Sequence, residues 1–144
     1  MTDHQAITNL FASYLAAFKR ADKAAISNTY FLPCSLSTPT EVKFIRQSME
    51  LDEVITEILK QIEQSQTQNI DICSLSYEQL NTNQYIACAH WQFKNHDKQI
   101  FADFCAFYHI EIKQDKVAFR HVISHENDQL KTFVNTIEIT DLYK

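Results

Sequence analysis

From Asn69 to Glu126 the chain alternates apolar and polar residues almost without a break, and only short polar links interrupt it. A period of two is the side-chain repeat of a β-strand, whose successive residues point to opposite faces. The links Asn81-Thr82-Asn83-Gln84, Asn95-His96-Asp97-Lys98 and Lys113-Gln114-Asp115-Lys116 leave room only for hairpins. This stretch therefore reads as four consecutive antiparallel strands, at 69–80, 84–94, 99–113 and 116–126. A meander of that length has to bury one face, and the residues before it supply the cover.

Ile7, Leu10, Phe11, Tyr14 and Phe18 recur at helical spacing behind a cap at Thr2 or Asp3. A short second helix is expected from Asp22 to Asn28, then an extended segment from Thr29 to Thr38 in which Pro33 marks a sheet edge or a bulge. Pro39 ends it, and Glu41 to Arg46 makes a second strand. Leu51, Val54, Ile55, Ile58, Leu59 and Ile62 form the stripe of a third helix, capped at Ser48 with Glu50, Asp52 and Glu53 in its first turn. In the tail, Leu130, Phe133, Val134 and Ile137 have helical spacing but β-branched content, so residues 127–144 read as helix or strand. The element order ααββαββββ defines an α+β fold: a curved, mostly antiparallel sheet wrapped around N-terminal helices. The length suits one domain, residues 1–144, with 127–144 a C-terminal extension.

The chain has 144 residues and no glycine, where about ten are usual. Glycine-dependent motifs are thereby excluded: the dinucleotide fingerprint, the P-loop and the nucleophile elbow. Any ligand has to be held by side chains, and Asn and Asp are expected to take the positive-φ positions in turns. Thirteen Lys and Arg against eighteen Asp and Glu give a net charge of -5. The basic residues are scattered, which argues against nucleic acid as a partner. No apolar run reaches the ~18 residues of a membrane span. The first ten residues, with Asp3, His4 and Asn9, do not resemble a signal peptide, so the cytoplasm is the expected compartment. Cys34, Cys73, Cys88 and Cys105 form no C-x-x-C and read as reduced, packed thiols.

Two-residue turns at His96-Asp97 and Gln114-Asp115 set an expected register: Phe93 opposite Ile100, Tyr85 opposite Tyr108, Tyr108 opposite His121 and Phe104 opposite His125. One face then carries Tyr85, Ala89, Trp91, Phe93, Ile100, Phe104, Tyr108, Ile110, Ile112, Val117, Phe119, His121, Ile123 and His125. It is the more apolar and is assigned to the interior. On the first strand of the meander, Ile70, Ile72, Ser74, Ser76 and Glu78 are placed inside. The candidate ligand-binding residues are Tyr14, Phe18, Tyr85, Trp91, Phe104, Tyr108, His121 and His125, and the catalytic candidates are Tyr14, Tyr108 and His121. Phenol and imidazole groups in an apolar pocket can hydrogen-bond a carbonyl or enolate, or move a proton. They can equally pack and satisfy one another. The opposite face carries Ile86, Cys88, His90, Gln92, Phe101, Asp103, Cys105, Phe107, His109, Glu111, Arg120 and Val122. It is too apolar for solvent and reads as a homodimer interface, with His90–Asp103 a charge pair or an acid–base pair. His121 and His125 sit about 13 Å apart on a strand and cannot chelate one ion, so no metal and no cofactor is expected.

The opening "LFASYLAAFKRADKAAI", the segment "YFLPCSLSTP", the closing "FCAFYHIEIKQDKVAFRHVISHE" and the element order resemble the nuclear transport factor 2-like superfamily over residues 3–126. That superfamily includes SnoaL-like cyclases, ketosteroid isomerase and scytalone dehydratase. The resemblance implies a cystatin-like α+β barrel with a cone-shaped pocket, and dimerisation through the outer sheet face. Tyr14 matches the helix-one tyrosine of the isomerase oxyanion hole, and Tyr108 falls where its late-strand aspartate stands. The isomerase general base has no counterpart, because Leu36-Ser37-Thr38-Pro39 contains no carboxylate. Three functions are open to such a chain: a binder of a small apolar molecule, a lyase, isomerase or cyclase, or a structural or regulatory dimer without a ligand.

Overall fold

The computed structural model describes residues 1–143. Helix α1 (Asp3–Lys19) is capped by Thr2, whose side chain accepts from the Gln5 N–H, and α2 (Lys23–Ser27) is capped by Asp22. The strands β1 (Tyr30–Thr38) and β2 (Glu41–Ile45) precede α3 (Ser48–Gln64). The N-cap of α3 is Gln47 rather than the expected Ser48. The Glu50 carboxylate reaches back to accept the backbone N–H groups of Arg46 and Gln47, each at 3.2 Å, which fixes the helix start one residue earlier. The meander is β3 (Thr67–Asn81), β4 (Gln84–Asn95), β5 (Ile100–Lys113) and β6 (Lys116–Glu126). The tail is no helix: it makes a two-residue strand β7 (Asn135–Thr136) on β3, between short 3-10 turns at 127–129 and 139–143. The latter turn packs Leu142 into the core.

The seven strands form one open sheet in the order β2-β1-β6-β5-β4-β3-β7. All neighbours are antiparallel except β1 and β6, whose parallel pairing joins the N-terminal hairpin to the meander. That pairing slips between Tyr30 and Ser35, the bulge that Pro33 foretold. The core lies between the sheet and α1, with Ile7, Phe11, Leu15 and Phe119 almost fully buried. No helix among the described residues is long and apolar enough to cross a membrane.

Bulges alter the expected faces. Beside the Gln114-Asp115 turn the expected β5–β6 register holds, with Ile110 opposite Phe119. Arg120 is then an extra residue: His109 pairs with His121 and Tyr108 with Val122. One added residue inverts every side chain beyond it. His121, Ile123 and His125 therefore lie on the outer face, and Val122 turns inward with 6% exposure. Cys73 is a second extra residue, so Ser74, Ser76 and Glu78 face outward while Leu75 and Tyr77 are buried inside. Between β4 and β5 the loop has three residues, with Lys98 at φ 61°, and Phe101 is a further bulge. Together these move the register by two, which preserves the faces: Tyr85 opposes Ile110, and Ala87 opposes Tyr108. Ile100, expected inside, is 49% exposed.

Candidate functional site

Helix α3 buries only Leu51 and Ile55 of its apolar stripe. Its Val54, Ile58 and Ile62 stay half-buried and face a cavity of about 680 Å³ that α3 shares with the concave sheet face. The inner wall is aromatic: Tyr14 and Phe18 from α1, Trp91 and Phe93 from β4, Phe104 and Tyr108 from β5. The strand period puts Trp91 and Phe93 on one face of β4, while one helical turn brings Tyr14 and Phe18 to the same side of α1. Ser37, Thr38, Glu41, Lys43, Glu53 and Glu57 line the cavity elsewhere, from β1, β2 and α3.

The phenols at its floor hold one another. Tyr14 and Tyr30 share a hydrogen bond of 2.7 Å between their hydroxyls. Trp91 donates its Nε1–H to the Tyr108 oxygen at 2.8 Å, so the phenol acts as the acceptor in that bond and its own hydrogen is not used by it. Tyr14 meets Phe18, Trp91, Tyr108 and Phe119 edge to face at 4.9–6.1 Å, an arrangement that fixes ring orientation as well as burying area. Burial holds the Tyr14, Tyr30 and Tyr108 hydroxyls far above their ordinary range, since a phenolate there would lose its water. At neutral pH these groups are neutral donors. Among the described residues no carboxylate or imidazole is hydrogen-bonded to them, and the acidic residues lining the cavity, Glu41, Glu53 and Glu57, are all exposed.

Of the expected ligand residues, Tyr14, Phe18, Trp91, Phe104 and Tyr108 line this cavity. Tyr85 is buried but outside the lining; its hydroxyl donates to the Asp3 carboxylate at the start of α1, and with that bond burial lifts it to about 12. His121 and His125 are on the other side of the sheet. His121 stacks on His109 with ring centres 5.3 Å apart and hydrogen-bonds Ser35 Oγ at 2.7 Å. Burial, with His109 and Arg120 nearby, holds its imidazole below the ordinary value. His125 packs on Phe107. On the same outer face His90 and Asp103 do pair, at 2.5 Å, and the Asp103 carboxyl is held low by that bond. His109 bonds Gln84, while Arg120 forks onto Glu111 at 3.0 and 3.2 Å. Cys88 and Cys105 are buried, free thiols. Among the described residues no group of three or more His, Cys, Asp or Glu is arranged to hold a metal.

The sequence reading missed Tyr30, the partner of Tyr14, and the α3 side of the cavity. Tyr30, Cys34 and Leu36 all turn inward from β1, and the stripe Val54, Ile58, Ile62 is only half-buried against the core; both stretches are apolar in the sequence.

A half-wrapped sheet with an aromatic concavity under a splayed helix defines the class, an α+β cone. The chain belongs to a family of NTF2-like proteins (DUF6841), which matches residues 3–128. No curated protein matches it by sequence. Among solved structures it is similar to an NTF2-like protein of unknown function from Shewanella oneidensis, at 14% identity and a TM-score of 0.71, over 85% of this chain and 98% of that one. An NTF2-like protein with a cystatin-like fold from Novosphingobium aromaticivorans gives 9% identity and a TM-score of 0.72, over 88% and 83%. A Nostoc punctiforme protein of unknown function with a cystatin-like fold gives 13% and 0.68, over 85% and 89%. At such identities the likeness shows the fold alone.

Proposed function

We propose that the protein binds a small, largely apolar molecule in the aromatic cavity and does not turn it over. The observation that carries this is the bonding of the floor: among the described residues its phenols hydrogen-bond one another and an indole, not a carboxylate or an imidazole. Burial holds Tyr14 and Tyr108, and Tyr30 behind them, as neutral phenols. General acid–base catalysis needs a group that gains and loses its proton near the working pH. The proton carrier required by a lyase or isomerase reading was His121, which Arg120 turns to the far side of the sheet. A phenol that accepts from Trp91 and keeps its own hydrogen suits one acceptor oxygen on an otherwise apolar ligand. Titration calorimetry with 2-acetylnaphthalene and its carbonyl-free analogue 2-ethylnaphthalene tests this. Both bind, and the ketone binds about fivefold tighter, the worth of one hydrogen bond. Absence of heat with either, or turnover of the ketone, sinks the reading.

A second proposal concerns the outer face, where Phe44 (73% exposed), Val42 (55%) and Ile123 (41%) adjoin Phe107, with His90, Asp103, Cys105 and His109 on neighbouring strands. This apolar stretch supports a homodimer joined through that face. Sedimentation at micromolar concentration gives a dimer that Phe44→Asp dissociates; a monomer throughout removes the proposal. The four free thiols fit a reducing compartment, and the cytoplasm is the one proposed.

A further inference from the structure

We infer that the ligand of the aromatic cavity carries a positive charge, an amine or quaternary ammonium on an aromatic body, and this rests on the binding function proposed above. Among the described residues the charged groups of the cavity are three carboxylates, Glu41, Glu53 and Glu57, and one ammonium, Lys43. Lys43 is tied to Glu41 at 3.0 Å, so the pair cancels. Glu57 accepts only from the neutral Gln61 amide, at 3.3 Å. Glu53 and Glu57 are four residues apart on α3, which places them one above the other on the same flank. The lining thus keeps two uncompensated negative charges, and neither arginine nor histidine joins it.

The aromatic wall points the same way independently of the carboxylates. Trp91 and Phe104 lie parallel to within 6°, 6.4 Å between centres, and Phe93 stands at 74° and 68° to them. Indole and benzene faces are electron-rich and attract an ammonium most strongly when water is excluded. A carboxylate or phosphate entering the same space meets the electron-rich rings and two like charges, with no free cation among the described lining residues to receive it. A neutral ligand gains the apolar contact and, where it carries an acceptor, the Tyr108 hydrogen bond, but no attraction from the carboxylates. Charge thus separates ligands of equal shape.

Trp91 is the sole tryptophan of the chain and lines the cavity, so its fluorescence reports occupancy. The probes are 1-naphthylmethylammonium, 1-naphthylacetate and the neutral 1-methylnaphthalene, titrated at low salt. The cation binds about tenfold tighter than the anion, the combined effect of two exposed charge contacts. The double variant Glu53→Gln/Glu57→Gln brings that ratio to within about twofold, and high salt narrows it in the parent protein. Both substituted residues are exposed, so the fold survives the change. Equal affinity of cation and anion, tighter anion binding, or a preference that survives the double substitution overturns the inference while leaving the binding function standing, provided 1-methylnaphthalene still binds. If none of the three probes alters Trp91 emission, the binding function falls and the inference with it.

Discussion

Tyr108 is the residue on which packing and chemistry converge. It is 2% exposed, it receives the Trp91 N–H, and its ring meets Phe11, Tyr14 and Phe119. Replacing it with phenylalanine keeps the ring contacts but leaves the buried indole N–H without an acceptor. A buried donor stripped of its partner costs about 1–3 kcal/mol, so Tyr108→Phe should lower unfolding stability by that amount in urea melts. An unchanged midpoint would mean that the indole finds another acceptor. The turns supply a second lesson at this scale. The chain lacks glycine, and positive φ was expected at Asn and Asp; of those two types only Asp115 adopts it, beside Ala21, Gln66, Lys98 and Gln114. A residue with a Cβ is disfavoured there by about 1–2 kcal/mol. Lys98→Gly, at φ 61°, should therefore stabilise the protein by about 1 kcal/mol, read as a raised thermal midpoint.

At the scale of elements, the existence, order and approximate ends of the helices and long strands were legible in the sequence, because periods of 3.6 and 2 persist over many residues. The faces were legible only as far as the nearest bulge. Arg120 and Cys73 are single extra residues that leave no mark in an alternating pattern, and each inverts the side chains beyond it. That is why Tyr14, Phe18, Trp91, Phe104 and Tyr108, read as cavity residues, do line it, while His121, His125 and Glu78, also read as inner, lie on the outer face. Arg120 is held in β6 by contacts remote in sequence: a fork onto Glu111, the Pro33 carbonyl at 2.7 Å and the Phe31 ring at 5.1 Å. Hydrogen bonds from Arg120 hold the Glu111 carboxyl below its ordinary 4.5. A carboxyl lowered by folding contributes stability that is complete above the unfolded value and is lost as pH falls through the folded one. Urea midpoints should thus drop as pH falls below the ordinary carboxylate range, and less steeply in Glu111→Gln. Equal slopes in the two proteins would show that Arg120 and Glu111 do not act as a pair in solution.

For the whole molecule, the layout comes from a sheet whose inner face is covered by helices, while the tail crosses part of the outer face at Ser76 and Phe107. Helix α1 fills the narrow end of the cone, where Asp3 and His4 bond Tyr85 and Tyr77 across to β4 and β3. Helix α3 buries Leu51 and Ile55 near its start, and its half-buried Val54, Ile58 and Ile62 line the cavity together with the aromatic wall. The fold could be read from the chain because many residues vote for it. The cavity could not be measured, since its size depends on how closely one helix approaches the sheet. The central claim is that the space between them receives a ligand whose acceptor meets Tyr108. A crystal structure of the protein soaked with 2-acetylnaphthalene tests it most directly. The account predicts the naphthalene rings between α3 and the Trp91–Phe104 wall, with the carbonyl oxygen within hydrogen-bond distance of the Tyr108 hydroxyl. A cavity closed by its own side chains, or the compound seated on the outer sheet face instead, would contradict it.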